Sequence, residues 1–233
     1  MCGRFTLRSP LTKLVRQFEI AIPSRLELPE FTPRYNIAPT QPVAAIRAAD
    51  GRRELVMLHW GLIPARADEP KVAVGSINAR SETADTKPMF REAFRRRRCL
   101  IPADGFYEWK PLGRPRQAYF IHAPDDQVFA FAGLWERWSR GGLTIESCAI
   151  LTTDANRRLA ELHDRMPVVL DPRDYNRWLD PSEENPERLK PLLEPCPNDF
   201  LAFHPVGPRV NRAENEGPEC IAPVAAQAAL PGF

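Results

Sequence analysis

A closely spaced series of β-strand signals in the middle of the chain limits the possible folds most strongly. Five short segments between residues 99 and 152 show alternating apolar and polar side chains, and turn residues separate them. Such a series is typical of an antiparallel sheet that curves or closes into a barrel. The predicted strands are residues 99–102, 105–110, 117–122, 128–135 and 143–152.

The rest of the chain predicts short helices around this sheet. Two strand-like segments flank Asp50-Gly51, which marks the turn of a hairpin over residues 43–60. Ser9-Pro10 precedes apolar residues at helical spacing and predicts a capped amphipathic helix up to Phe18. Further helices are expected over residues 88–98, 156–162 and 171–179, and further strands over residues 166–170 and 201–206. The predicted fold class is α+β, with a β-rich core of curved antiparallel, barrel-like sheet flanked by short helices.

Length and composition predict one globular domain. The chain has 233 residues, of which 43% are hydrophobic and 27% charged, and this is enough for one substantial core. We predict a single domain over residues 1–212 and a loosely ordered tail over residues 213–233. No stretch approaches 18 consecutive apolar residues, and the first 20 residues lack a signal-peptide core, so we expect no membrane segment and a cytoplasmic monomer.

The cysteines, histidines and cations narrow the chemistry. Five cysteines and four histidines are scattered without a CxxC pair, so we predict no disulfide framework, no metal and no cofactor. Of the 32 basic residues 27 are arginines, which favours phosphate binding, although a GC-rich genome produces the same bias. The net charge is only +2, so a nucleic-acid surface would have to gather its cations on one face. The run of arginines at residues 95–98 fits a solvated helix end better than a binding site.

Cys2 is the residue on which we base the functional hypothesis. Because Cys is small, Met1 can be removed by an aminopeptidase, which leaves Cys2 with a free amine and a thiol on adjacent carbons. The amine condenses with an aldehyde to an imine, and the thiol adds to the same carbon to close a five-membered thiazolidine. Ordinary pKa values of about 7.7–8.0 for the amine and about 8.5 for the thiol keep this chemistry available near neutrality. The alternative is an accidental cysteine at the start of the chain.

Polar residues in apolar or strand-like surroundings supply further candidates. Asn78 and Arg80 share one face of an extended segment and suit an oxygen and a phosphate, or else form an ordinary sheet-edge pair. Glu108 lies between aromatic residues, where burial would raise its pKa and make it an acid or base near neutrality; the alternative is exposure to solvent. His163 stands where a helix gives way to a strand and suits proton transfer or a structural role. Arg4 places a fixed cation close to the predicted nucleophile.

Seven motifs occur in the order found in one family, and the match to that family runs from residue 2 to about residue 210. On these motifs the chain resembles the SOS-response-associated peptidase family (SRAP domain), the abasic-site crosslinking proteins. The motifs are MCGR (1–4), YNIAPT (35–40), WGLIP (60–64), NARSE (78–82), the stretch from FR to GFYEW (90–109), TTDAN (152–156) and HDRMP (163–167).

The resemblance implies a protein that binds single-stranded DNA at abasic sites and shields them in the DNA damage response. Cys2 would form a thiazolidine with the ring-opened sugar aldehyde, with lyase-like strand cleavage and autoproteolysis as side activities. Glu108 would act as general acid and base, His163 would assist proton transfer, and Asn78 would orient the nucleophile or the sugar oxygen. Phosphates around the lesion would be bound by Arg4, Arg80 and Arg165. The flanking bases would be contacted by Pro39 and Trp60. The protein would associate with the nucleoid when bound to DNA.

Other functions remain open at this point. An N-terminal-nucleophile amidohydrolase also begins with Cys-Gly after removal of Met, and a peptidase or a non-enzymatic single-strand binder fits the same composition. One departure from the family pattern concerns base stacking. Relatives commonly place a second Trp soon after WGLIP, whereas Ala65-Arg66-Ala67-Asp68 follows here, so stacking at this point would depend on the guanidinium of Arg66.

Overall fold

The computed structural model describes residues 2–21, 32–70, 76–111, 116–124 and 127–226. Within these ranges strands dominate and the helices are short. The strands are β1 (Phe5–Leu7), β2 (Arg34–Ile37), β3 (Pro42–Ala49), β4 (Arg52–Trp60), β5 (Asn78–Arg80), β6 (Arg98–Ala103), β7 (Gly105–Lys110), β8 (Gln117–His122), β9 (Phe129–Arg140), β10 (Leu143–Asp154), β11 (Arg165–Pro167) and β12 (Ala202–Pro205). The α-helices are α1 (Leu11–Gln17), α2 (Arg91–Arg96), α3 (Tyr175–Leu179) and α4 (Pro186–Leu189).

Five strands of the larger sheet close into a barrel in the order β10-β4-β3-β6-β9, with β9 returning to β10. This confirms the predicted β-rich, barrel-like core. The β3–β4 hairpin turns at Asp50 and Gly51, whose φ angles are 49° and 71°, as a two-residue type I′ turn requires. The barrel is not purely antiparallel, however, because β4 and β10 run parallel where His59 pairs with Ser147. The short strand β5 also joins β10 in parallel.

A second, antiparallel sheet in the order β12-β8-β7-β1-β2 packs on the barrel. Its contact with the barrel centres on Phe5 of β1. The Phe5 ring lies edge-on to Trp60, with centroids 5.1 Å apart, and edge-on to Phe131 at 5.9 Å. All three side chains are buried, so apolar area and ring geometry both favour this contact. The residues around Phe5 therefore lie at the interface between the second sheet and the barrel.

Two local predictions near the helices are wrong. Ser9 does not cap α1; its hydroxyl donates to Oδ1 of Asp104 at 2.7 Å, and the helix has no side-chain cap. Asp104 is buried and also accepts the backbone N–H of Ser9 at 3.1 Å, so it fixes the corner between β1 and α1. The predicted helix over residues 156–162 contains only a 3₁₀ turn, Leu159–Glu161.

The run of arginines at residues 95–98 is not a uniform solvated helix end. Arg95 and Arg96 are exposed, but Arg97 pairs with Glu136 and Arg98 begins β6 with only 3% of its surface exposed. The Arg98 guanidinium donates to backbone carbonyls at the ends of α2 and α3 and in the following turn. Arg98 is thus part of the core, because it satisfies carbonyls that a helix end leaves without partners.

Residues 213–226 lie against the second sheet. Cys220 is buried, Pro223 forms an isolated bridge with Val206, and the carboxylate of Glu216 accepts the N–H of Tyr35 at 2.7 Å. The remainder of the predicted tail, residues 227–233, lies outside the described residues. In the described part of the chain no helix is long and apolar enough to cross a membrane.

Candidate functional site

Cys2 lies just before β1 and next to β7. The β1–β7 register pairs Phe5 with Phe106, and the N–H of Tyr107 donates to the carbonyl of Arg4 at 3.0 Å, which brings Cys2 alongside the Glu108 region. The Cys2 side chain is fully buried, and its thiol points at the carbonyl of Arg4, 3.8 Å away. Burial first, and then the charge of Glu108, raise the pKa of the Cys2 thiol well above its usual range. The thiol is therefore held in its neutral form.

Asn78 approaches Cys2 from the barrel. It begins β5, which pairs with β10 through Ile150, and its amide Nδ2 donates to the carbonyl of Cys2 at 2.9 Å. The amide oxygen Oδ1 is buried and has no hydrogen-bond partner among the described residues. A buried acceptor without a donor is costly, so this oxygen is suited to receive an N–H or O–H at the site.

Glu108 is the carboxyl group of the site. It lies on β7 with 5% of its surface exposed, so the alternative in which it faces solvent is excluded. Burial raises the pKa of Glu108, and the opposing charge of His163 does not cancel this effect. A carboxyl in this state keeps its proton to higher pH than an exposed one and can serve as a general acid.

His163 lies in the turn between the Leu159–Glu161 segment and β11, and its backbone N–H donates to the carbonyl of Leu159 at 3.0 Å. Its Nδ1 accepts the N–H of Arg165 at 2.9 Å and lies 2.7 Å from a carboxylate oxygen of Asp164. Accepting at Nδ1 places the proton of the neutral ring on Nε2. Once the ring is protonated at both nitrogens, Nδ1 can donate to Asp164 instead. The imidazole thus has a local partner in either protonation state.

The three predicted phosphate ligands have different surroundings. The Arg80 side chain is exposed, and among the described residues it forms no hydrogen bond or ion pair. Arg165 is paired with two carboxylates, those of Glu82 and Asp154 at 2.5 and 2.6 Å, and its side chain is 10% exposed. Arg4 is partly buried and donates from one guanidinium nitrogen to protein oxygens. Arg80 is therefore the cation of this set that is available to a phosphate without rearrangement.

The two residues predicted to meet flanking bases also differ. Trp60 is completely buried, and its indole N–H donates to the carbonyl of Ile77 at 2.9 Å. No part of Trp60 is open to a base, so we assign it to the core instead. Pro39 is partly exposed in the turn before β3, and Arg66 is exposed in the loop that follows β4. These two residues still offer surface on which a base could rest.

Sequence reasoning did not identify three residues that support the site. Asp164 contacts the His163 ring, Glu82 pairs with Arg165, and the buried amide of Asn36 binds Arg4. Each lies inside a motif quoted above, but its spacing in the sequence gives no indication of its partner. All five cysteines are free and buried, and the described residues contain no group of three or more side chains arranged to hold a metal.

Comparisons with known proteins show which family the chain belongs to. A family model described as SOS response associated peptidase (SRAP) matches residues 1–213. The chain belongs to the SRAP family. The abasic site processing protein YoqW of Bacillus subtilis is 40% identical over 223 residues, covering 95% of this chain and 99% of that protein. The abasic site processing protein YedK of Escherichia coli is 34% identical over 229 residues, covering 96% and 100%.

A solved structure has a similar fold. A protein from Bacteroides thetaiotaomicron superposes with a TM-score of 0.82, covering 96% of this chain and 100% of that one, at 24% sequence identity. That likeness concerns the fold alone.

Proposed function

We propose that the protein captures abasic sites in single-stranded DNA by forming a covalent thiazolidine with Cys2. The observation that carries this proposal is the placement of an amide, a carboxyl and an imidazole around the first residues of the chain. Asn78 binds the Cys2 carbonyl, and the charges of Glu108 and His163 act on this same small volume. The names of the relatives support the choice of an abasic site as the aldehyde.

The chemistry requires that Met1 has been removed. The Cys2 amine attacks the carbonyl carbon of the ring-opened sugar to form a carbinolamine. Loss of water from the carbinolamine gives an imine. The thiol sulfur then bonds to the imine carbon while its proton passes to the nitrogen. The balance is one aldehyde and one aminothiol giving one thiazolidine and one water, without an oxidant or a cofactor.

Each neighbouring side chain has a role in these steps. Glu108, whose pKa is raised by burial, protonates the hydroxyl that leaves as water and takes a proton when the ring reopens. His163 relays protons between the site and solvent, because its imidazole is partnered in both charge states. Asn78 fixes the Cys2 backbone through Nδ2, and its Oδ1 accepts the sugar hydroxyl.

The DNA contacts in this proposal follow the availability of the side chains. Arg80 binds a phosphate beside the lesion, with Arg4 and Arg165 as further cationic contacts, of which Arg165 must first exchange a carboxylate partner. Pro39 and Arg66 contact the bases on either side of the abasic site. Binding should weaken as salt rises, because phosphate contacts release counterions. We also propose that the protein is a cytoplasmic monomer that associates with the nucleoid when it is bound to DNA.

The state of the thiol argues against an amidohydrolase. That reaction begins with attack of a thiolate on an amide carbonyl, and burial of Cys2 disfavours the thiolate. In the thiazolidine sequence the amine attacks first and the thiol adds later to an activated imine. The imine is also the starting point for strand cleavage by β-elimination, so the proposal includes a lyase side activity. Autoproteolysis would appear as loss of Met1 from protein made without aminopeptidase activity.

The experiment uses an abasic single-stranded oligonucleotide and the purified protein, whose intact mass first establishes that Met1 is absent. Wild type should give an adduct that survives heat and denaturant. Cys2→Ala still exposes an amine but has no thiol, so it should give an adduct only when borohydride reduces the imine. A heat-stable adduct of Cys2→Ala without reductant would overturn the proposal. Release of ammonia from glutamine, lost in the same variant, would favour the amidohydrolase instead.

A further inference from the structure

We propose that Asn36 is a positioning residue of the crosslinking reaction, acting on Cys2 through Arg4. Asn36 ties the start of the chain to the C-terminal segment, by which we mean residues 207–216. This inference rests on the proposed function above. It goes further in naming what holds the nucleophile in place and in giving Arg4 a role other than phosphate binding.

The Asn36 side chain is fully buried and all of its polar atoms are used. Its Oδ1 accepts from a guanidinium nitrogen of Arg4 at 2.9 Å. Its Nδ2 faces three carbonyls of the C-terminal segment, those of Val210 at 3.3 Å, Arg212 at 2.8 Å and Asn215 at 2.9 Å. The same Arg4 nitrogen donates to the Val210 carbonyl at 2.9 Å. Asn36, Arg4 and the C-terminal segment therefore form one closed hydrogen-bonded unit.

The C-terminal segment is itself fixed to the sheet. The carboxylate of Glu216 pairs with Arg34 at 2.8 Å and accepts the N–H of Tyr35 at 2.7 Å. Val210 is fully buried in a small apolar cluster with Tyr107 and Phe120 on the face of the second sheet. The segment thus provides a rigid surface for the Arg4 side chain.

Arg4 is the side chain through which this rigidity reaches Cys2. Strand β1 is only three residues long, and Arg4 precedes it directly. The Arg4 carbonyl accepts both the N–H of Tyr107 and the thiol of Cys2, so a shift of Arg4 moves the sulfur. Ring closure needs amine, thiol and aldehyde carbon in a narrow geometry, and a displacement of about 1 Å can slow such a reaction by roughly a hundredfold.

Phosphate binding by Arg4 and positioning by Arg4 predict different results with an aldehyde that has no phosphate. Glycolaldehyde is such a probe, and its thiazolidine is read by mass spectrometry of the N-terminal peptide. In the mature protein, Asn36→Ala should slow adduct formation about tenfold with both glycolaldehyde and abasic DNA. Its affinity for DNA carrying a tetrahydrofuran analogue, which has no aldehyde, should stay within about twofold of wild type, since the phosphate contacts remain.

Asn215→Ala is the matched control. It also removes one asparagine side chain from this region. Among the described residues that side chain binds only the carbonyl of Arg209, and the backbone carbonyl used by Asn36 remains. Its rates should equal those of wild type. Equal rates for Asn36→Ala and Asn215→Ala, or a loss of DNA affinity with an unchanged glycolaldehyde rate, would overturn the inference. Absence of any adduct in wild type would instead overturn the proposed function, and the inference with it.

A second variant protects the test if Asn36→Ala does not fold. Arg4→Lys keeps the charge but cannot bridge Asn36 and Val210 as the guanidinium does. It should also slow the glycolaldehyde reaction, and it should speed hydrogen exchange at the amide of Tyr107, which donates to the Arg4 carbonyl. If the rate of reaction with glycolaldehyde and the hydrogen exchange of the Tyr107 amide were both unchanged, Arg4 would have no role in positioning Cys2.

Discussion

At the scale of single residues, Glu108 shows how a site of this kind conflicts with stability. Its carboxyl is buried, and burial raises its pKa above the ordinary value of about 4.3. The folded state therefore holds this proton more tightly than the unfolded chain does. Its contribution to stability is complete at low pH and is lost as pH rises through the raised pKa. The carboxyl that serves as the acid of the site is therefore one that the folded state stabilises in its neutral form.

Glu108→Gln removes this cost together with the acid. We expect the variant to be more stable than wild type, by on the order of 1 kcal/mol at pH 8, because glutamine never ionises. The difference should shrink as pH falls toward 5, and thermal unfolding at a series of pH values measures it. The same variant should crosslink about a hundredfold or more slowly. If the stabilities of the two proteins changed with pH in the same way, the prediction that burial raises the pKa of Glu108 would be wrong.

At the scale of secondary-structure elements, Arg98 joins two helix ends to the barrel. Its guanidinium donates to carbonyls of Phe94, Trp178 and Glu183, among others, and burial lowers the pKa of Arg98 to about 10. Arg98→Lys keeps the charge but has too few donors in the wrong geometry, so we expect a loss of about 3 kcal/mol in urea unfolding. The exposed neighbour provides the control, and Arg95→Lys should change stability by less than about 0.5 kcal/mol.

Gly133 of the barrel strand β9 lies where there is no room for a larger side chain. A Cβ there would stand 2.7 Å from the Cys99 sulfur and 2.9 Å from Ile101. Gly133→Ala should therefore cost about 1–3 kcal/mol through overpacking. Cys99→Ala removes the nearer atom, so the double variant should be more stable than the sum of the two single changes predicts. Additive free energies in a double-mutant cycle would show that the sulfur is not the obstacle.

These elements also show what sequence patterns can predict. The β3–β4 hairpin follows from Asp50-Gly51, because only certain residues adopt the turn. The strand predicted over residues 117–122 from alternation and flanking turn residues matches β8. Local patterns do not carry the identity of distant partners. The parallel contact of β4 with β10, which closes the barrel, and the burial of Arg98 both depend on what packs against them.

At the scale of the whole molecule, the candidate site is assembled from distant parts of the chain, and His163 comes from the turn before β11. Cys2 precedes β1, Asn78 comes from β5 beside the barrel, and Glu108 comes from the second sheet. The residue types and the family motifs predict these side chains as site residues. The hydrogen bond from Asn78 to the Cys2 carbonyl is seen only in the folded structure. The burial of Trp60 could not be predicted for the same reason, since a tryptophan suits a base or a core equally well.

The C-terminal residues give the last prediction, because the sequence suggested a domain that ends at residue 212. A chain cut after residue 212 loses the Glu216 carboxylate, the Asn215 carbonyl bound by Asn36, and the buried Cys220. At about 1 kcal/mol for each hydrogen bond, we expect a loss of about 3 kcal/mol in urea unfolding. Crosslinking should also slow, since Asn36, which holds Arg4, loses the Asn215 carbonyl. A chain cut after residue 226 keeps every described contact and serves as the control. Equal stability of the two truncated proteins would restrict the working domain to residues 1–212.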